Sequence, residues 1–103
     1  ADGGEETFYR IDGKSWMMMG RDRSVVDVPL DHPSASKQHA VIQYRKKGGG
    51  TVAPYVMDLE TVNGSFLNGE KIEPRRFYEL LHGDVLKFGS STREFVAMNA
   101  DAV

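Results

Sequence analysis

The feature that most limits the fold of this chain is the spacing of its apolar residues. Aliphatic and aromatic side chains occur in short clusters, and glycine, proline, asparagine, aspartate or serine separates most of them. No window of a dozen residues keeps a helical period with capping residues at its ends. Strands that recur about every ten residues, with turn signals between them, predict an all-β sandwich or barrel. The clusters are 8–11, 16–19, 25–30, 40–44, 52–59, 66–67, 77–81, 85–88 and 95–98.

Two loops can be predicted from their residues alone. Asn68-Gly69 lies between two short apolar stretches, which is a strong signal for a two-residue type I′ hairpin. The three glycines at 48–50 separate two strong strand candidates and predict a flexible hairpin tip. The methionines at 17–19 are interpreted as core strand. Residues 1–6 are polar and are expected to be disordered, which leaves 7–103 as one domain.

Composition narrows the possible functions. The chain has 13 basic and 15 acidic residues, a net charge of −2, which argues against a dedicated nucleic-acid binder. The absence of cysteine excludes disulfides and thiolate metal sites, and the three histidines lack metal-ligand spacing. The longest uninterrupted apolar run, 16–19, is far too short to span a membrane. We therefore expect no metal site and no membrane contact. No cofactor and no small-molecule substrate are expected either.

Two stretches hold side chains that suit anion binding. Arg21 follows Gly20 at the end of a strand candidate. The stretch Ser34-Ala35-Ser36-Lys37-Gln38-His39, with two hydroxyls, one amine and one imidazole, lies in a loop just before the next one. A guanidinium, hydroxyls, backbone N–H groups and an ammonium make an anion site when they converge. The alternative interpretation is an ordinary surface arginine and a serine and histidine that only stabilise a turn. Ser36 activated by His39 as a nucleophile is disfavoured, because no nucleophile elbow or orienting acid accompanies the pair.

A third stretch, 60–69, contains two Asn-Gly pairs. Turn chemistry explains Asn68-Gly69. The Asn63 amide, in contrast, is well suited to pair with the backbone of an extended peptide.

In this order and spacing, four blocks resemble the signature of the forkhead-associated (FHA) domain. They are Gly20-Arg21, Ser36-x-x-His39, Asn63-Gly64-Ser65-Phe66-Leu67-Asn68-Gly69 and Asp84-Val85-Leu86-Lys87-Phe88-Gly89. The resemblance runs over about 16–98. It implies a sandwich of two twisted antiparallel sheets, with a phosphothreonine-containing protein held by loops at one end.

The resemblance also implies a role for each matching residue. Arg21 and Ser36 would bind the phosphate, with help from Lys37, and Asn63 would hold the peptide backbone. Val62 stands where several family members carry a hydroxyl or glycine that approaches the phosphate, so one contact fewer is expected. The residues expected to brace the loops are Gly20, His39, Gly64 and Asn68.

Neighbouring stretches, 31–45, 72–80 and 91–96, resemble the branch of the family found in the Smad nuclear-interacting protein and in the pre-mRNA retention and splicing complex. That branch implies a non-enzymatic nuclear adaptor with a spliceosome component as partner. Two alternatives stay open. One is RNA binding through a basic face made of Arg21, Arg23, Lys37, Arg45, Lys46 and Lys47, and the other is a scaffold that binds its partner without phosphate.

Overall fold

The computed structural model describes residues 16–98. The predicted disorder of 1–6, the strand candidate at 8–11 and the limits of the domain at 7 and 103 lie outside the described residues.

The described chain forms nine strands in two sheets, which confirms the predicted all-β sandwich. The five-stranded sheet has the order β2-β1-β3-β4-β7, and the four-stranded sheet has the order β6-β5-β8-β9. No helix occurs between residues 16 and 98, so none is long and apolar enough to cross a membrane. The strands are β1 (Trp16–Gly20), β2 (Val28–Pro29), β3 (Ala40–Lys46), β4 (Val52–Asp58), β5 (Ser65–Leu67), β6 (Glu70–Lys71), β7 (Tyr78–Glu79), β8 (Val85–Phe88) and β9 (Phe95–Val96).

One pairing departs from the expected antiparallel pattern. β2 runs parallel to β1, with Met19 opposite Val28, whereas every other pair of these strands is antiparallel. The predicted strand at 25–30 is also reduced to two residues at the edge of its sheet. Its second residue is Pro29, which has no N–H to donate to a ladder, so a longer central strand could not form there.

The core follows from the alternation of side chains along the strands. Met17 and Met19 point inward and are buried, while Met18 between them is only half-buried on the outer face. Leu86 and Phe88 alternate inward in the same way on β8. A period of two therefore gives each sheet one apolar face, and the two faces cover each other.

The predicted Asn68-Gly69 hairpin is confirmed. Leu67 pairs with Glu70, so the loop has two residues, and both have positive φ, 52° at Asn68 and 86° at Gly69. A type I′ turn requires positive φ at both positions, which asparagine and glycine adopt most readily.

The strand ends decide where loops gather. β1 ends at Gly20, β3 begins at Ala40, β4 ends at Asp58, β5 begins at Ser65 and β8 ends at Phe88. These ends are joined, since the His39 N–H donates to the Met19 carbonyl at 2.8 Å and the Gly89 N–H to the Gly64 carbonyl at 2.8 Å. The loops 21–27, 30–39, 59–64 and 89–94 therefore meet at one end of the sandwich, and we refer to them as the ligand loops.

Candidate functional site

Two of the loops are bonded directly to each other at this end. The Arg21 N–H donates to the Ser36 carbonyl at 2.9 Å, and the Asp22 N–H donates to the Lys37 carbonyl at 3.2 Å. A Cβ atom on Gly20 would overlap with the Lys37 carbonyl oxygen, so only glycine permits this approach. Arg21, Ser36 and Lys37 are thereby brought side by side.

The donors of these three residues are available to a ligand. The Arg21 Nε donates to the Ala35 carbonyl at 2.9 Å, which orients the guanidinium. Within residues 16–98, its Nη1 and Nη2 atoms have no hydrogen-bonding or ion-pair partner, and neither does the Lys37 ammonium. Arg21 and Lys37 are exposed, and Ser36 is half-buried. The arrangement is a partly oriented set of donors at a solvent-facing rim.

His39 connects this pair of loops to the 59–64 loop. Its ring is fully buried, Nδ1 accepts the Ser36 N–H at 3.0 Å, and Nε2 is 2.9 Å from the Gly64 carbonyl. Because an N–H can only donate, Nδ1 is the acceptor and the neutral ring carries its proton on Nε2.

The charge state of His39 follows from its surroundings. Burial lowers the pKa of His39 below its usual value of about 6.5, and the Gly64 carbonyl and the Asp58 carboxylate oppose this shift only in part. The ring is therefore neutral at neutral pH, and its 3.8 Å approach to the Asp58 carboxylate is not an ion pair.

The 59–64 loop places Asn63 against the β2–β3 loop. The Asn63 Nδ2 donates to the Ser34 carbonyl at 2.8 Å, while its Oδ1 accepts no hydrogen bond from another residue of the 16–98 range. Val62 is 89% exposed beside it. Gly64 has a φ of 84°, a conformation that favours glycine. Its carbonyl accepts from both His39 and Gly89.

The buried Asp58 holds this loop in shape, and its role was not predicted from the sequence. The carboxylate is 2% exposed and accepts from the Thr61 N–H at 2.9 Å, the Thr61 hydroxyl at 2.8 Å and the Ser65 hydroxyl at 2.6 Å. The Thr61 hydroxyl oxygen in turn accepts the Gly64 N–H at 2.9 Å. The Asp58-x-x-Thr61 spacing is a local turn signal that could have predicted the first two bonds.

Ser34 connects the loops, a role that was not predicted from the sequence. Besides holding Asn63 through its carbonyl, it accepts the Ser90 N–H on its hydroxyl oxygen at 2.9 Å. That hydroxyl also lies 2.7 Å from the His32 Nδ1. Ser34 thus joins three separate loops, which no local pattern indicates.

Asn68 does not belong to this cluster. Its Nδ2 donates to the Asp84 carboxylate at 3.0 Å, and its Oδ1 accepts the Val85 N–H at 2.9 Å. Val85 begins β8 and the ligand loops lie beyond its other end, Phe88. Instead of bracing those loops as expected, Asn68 joins the β5–β6 turn to the start of β8 at the opposite end of the sandwich.

The basic residues are also divided between the two ends. Arg21, Arg23 and Lys37 lie in the ligand loops, whereas Arg45, Lys46 and Lys47 lie at the far end of β3. Six residue steps from Ala40 to Lys46 separate the ends by about 20 Å. Arg45 stacks over Phe77 at 4.0 Å, and Lys47 pairs with Glu79 at 2.9 Å. The six cations therefore do not form the single basic face that the RNA-binding alternative requires.

Asp22 is an acidic group beside the candidate phosphate site. Its Oδ1 accepts the Ser24 hydroxyl at 2.7 Å and the Ser24 N–H at 3.0 Å. These two bonds lower the pKa of Asp22, and the charges of Lys37 and Arg21 lower it further. Asp22 is therefore ionised at neutral pH and lies within electrostatic reach of both cations. No group of three or more histidine, aspartate or glutamate side chains in 16–98 could hold a metal ion.

The comparisons with known proteins agree with this architecture. The family model described as "FHA domain" matches residues 17–89. The mouse Smad nuclear-interacting protein 1 is 50% identical over 97 residues, which cover 86% of this chain and 25% of that protein. This similarity confirms the branch indicated by the sequence. The chain spans about a quarter of the length of the mouse and rat Smad nuclear-interacting proteins that it matches.

Two solved structures are similar over most of the chain. The yeast splicing factor Pml1, described with its integration into the RES complex, has a TM-score of 0.84 and 35% identity, covering 96% of this chain and 72% of that one. The MEK1 FHA domain in complex with the HOP1 pThr318 peptide has a TM-score of 0.71 and 28% identity, covering 84% of this chain and 81% of that one.

Proposed function

Because this chain belongs to the FHA domain family, we propose that it is a phosphothreonine-binding adaptor module, carried by a nuclear pre-mRNA splicing protein, that catalyses no reaction itself. Its partner in this proposal is a phosphorylated protein, such as a spliceosome component. The names of its relatives support the nuclear and splicing parts, and the solved complex with a phosphothreonine peptide supports the ligand class.

The observation that carries the proposal is the direct bonding of the Arg21 segment to the Ser36-Lys37 segment. This bonding joins the segments that carry a guanidinium, a hydroxyl and an ammonium, which are donors suited to a phosphate dianion. A phosphothreonine brings about −1.5 to −2 charges and three strong acceptor oxygens. Asn63 adds a side-chain carbonyl oxygen with which an extended peptide backbone can pair.

The test compares phosphopeptide binding by the wild type and by variants. A phosphothreonine peptide, selected from an oriented library on the purified domain, is titrated by calorimetry. Arg21→Ala should weaken binding by about 2–5 kcal/mol, because it removes a charge-assisted pair to phosphate. Its melting temperature should change little, since the side chain is exposed.

Lys46→Ala is the matched control for charge, because it removes one positive charge at the far end of β3. It should bind like the wild type. The unphosphorylated peptide should not bind measurably to any variant. Wild-type affinity in Arg21→Ala would show that the phosphate site has been assigned to the wrong residues, and equal binding of both peptides would favour a scaffold that ignores phosphate.

A further inference from the structure

The loop that carries Arg21 also carries an exposed hydroxyl that the proposed function does not use. Ser24 lies in a turn closed by the Val25 N–H donating to the Asp22 carbonyl at 3.1 Å. Its side chain is exposed, and its hydroxyl donates to Asp22 Oδ1 at 2.7 Å. It is therefore both accessible and next to the candidate phosphate site.

We propose that Ser24 is a phosphorylation site for an arginine-directed protein kinase, and that its phosphate closes the ligand pocket to phosphothreonine. The inhibitory part rests on the proposed function, whereas the modification itself does not.

The residues before Ser24 support the kinase class. Arg21 and Arg23 precede it by three and one positions, and both side chains are exposed. Kinases that select arginine at such positions recognise it with acidic grooves, through charge complementarity. In the reaction, the Ser24 hydroxyl oxygen bonds to the γ-phosphorus of ATP as the bond from that phosphorus to the β–γ bridging oxygen breaks. ADP leaves, and the hydroxyl proton passes to a base of the kinase.

The position of the new phosphate determines its effect. The phosphoryl group replaces the proton that Ser24 now shares with Asp22, so the phosphate and the carboxylate repel each other. The phosphate therefore turns from the carboxylate towards the two cations beside it. Arg21 precedes Asp22 in the chain, and Lys37 is held next to Asp22 by the bond from the Asp22 N–H to the Lys37 carbonyl at 3.2 Å. Arg23 competes less strongly for it, because its guanidinium already pairs with Asp31.

Charge counting gives the direction and size of the effect. Arg21, Lys37 and Asp22 together carry one net positive charge at neutral pH. A phosphoserine adds about −1.5 to −2, so the sign of the local charge reverses. A second phosphate then has to approach a site that repels it and whose donors are occupied. We expect phosphothreonine affinity to fall at least about tenfold, and to recover partly at high salt.

The first experiment installs phosphoserine at position 24 during protein synthesis and measures binding of the phosphothreonine peptide selected on the unmodified domain. The matched control carries phosphoserine at position 51 in place of Thr51, which is exposed in the β3–β4 loop at the far end of β3. The same added charge there lies beyond a Debye length of about 8 Å. Binding should fall only for phosphoserine at 24, and Ser24→Ala should bind like the unmodified protein.

The second experiment treats the purified domain with an arginine-directed kinase and ATP and locates the phosphate by mass spectrometry. Ser24 should be modified, and Arg23→Ala should be modified more slowly. Failure of the kinase to modify Ser24 would overturn the modification site. Unchanged peptide affinity after phosphorylation at 24, or an equal loss at 51, would overturn the inhibitory mechanism. If the unmodified domain binds no phosphothreonine peptide, the proposed function fails, and the kinase experiment still tests the site.

Discussion

His39 is predicted to hold the ligand loops together without touching the ligand, and two amide substitutions can separate its two bonds. In His39→Asn, the shorter side chain ends near the position of Nδ1, so it keeps an acceptor for the Ser36 N–H but cannot reach Gly64. In His39→Gln, the amide nitrogen lies near the position of Nε2 and keeps the bond to the Gly64 carbonyl. His39→Ala removes both bonds.

The expected cost follows from the contacts of the ring. One lost hydrogen bond costs about 1 kcal/mol, and Gly64 retains the Gly89 N–H as a partner. The ring also packs edge-on against Phe88, with centroids 5.5 Å apart, a contact worth about 0.5–1.5 kcal/mol. With the cavity left in a fully buried position, either amide variant should lose about 2–4 kcal/mol of unfolding free energy. His39→Ala should lose more.

Urea denaturation measures the loss in unfolding free energy, and calorimetry with the phosphothreonine peptide measures its consequence. Affinity should fall about tenfold in each amide variant, because part of the binding energy must order the loops again. Amide hydrogen exchange provides the discriminating readout. The Ser36 N–H should stay protected in His39→Asn and become exposed to exchange in His39→Gln.

Two results would refute this reasoning. If both amide variants are as stable as the wild type, the His39 bonds do not brace the loops. If a variant keeps full stability but loses peptide binding, His39 contacts the ligand directly.

Three further predictions concern the same end of the molecule. Gly20→Ala should lower both the melting temperature and the peptide affinity, because its Cβ would meet the Lys37 carbonyl. The expected loss of unfolding free energy is about 1–3 kcal/mol or more. Thermal unfolding checks this prediction, and an unchanged melting temperature would contradict it. Folding lowers the pKa of His39, so as the pH falls the unfolded chain takes up a proton at this residue before the folded protein does. The unfolding free energy should therefore fall below pH 6.5 by up to about 1.4 kcal/mol per pH unit, and level off below the folded pKa. Denaturation at several pH values should show that His39→Asn lacks this contribution. The second phosphate pKa is near 6, so the affinity for a phosphothreonine peptide, measured by calorimetry, should rise between about pH 5 and 7 and then level off. An affinity that does not change with pH would argue against a pocket that prefers the dianion.

The candidate site could be predicted from the sequence only as a set of residue types in order. The signature blocks identified Arg21, Ser36, Lys37 and Asn63, and the structure brings their segments to one end of the sandwich. It does not bring Asn68 there, although Asn68 belongs to the same block as Asn63. A strand of three residues, β5, carries the chain from one end of the sandwich to the other between them, and closeness in sequence does not reveal that step.

What the sequence determines by itself is local. Alternating apolar residues require strands with one buried face, and Asn68-Gly69 requires a two-residue hairpin, because the conformations of neighbouring residues decide both. Other contacts depend instead on how the two sheets bring distant parts of the chain together. Examples are the parallel pairing of β1 with β2 and the bond from His39 to Gly64, 25 residues further along. Such contacts join groups that no local pattern relates, so only the tertiary structure could decide which side chains meet at the site.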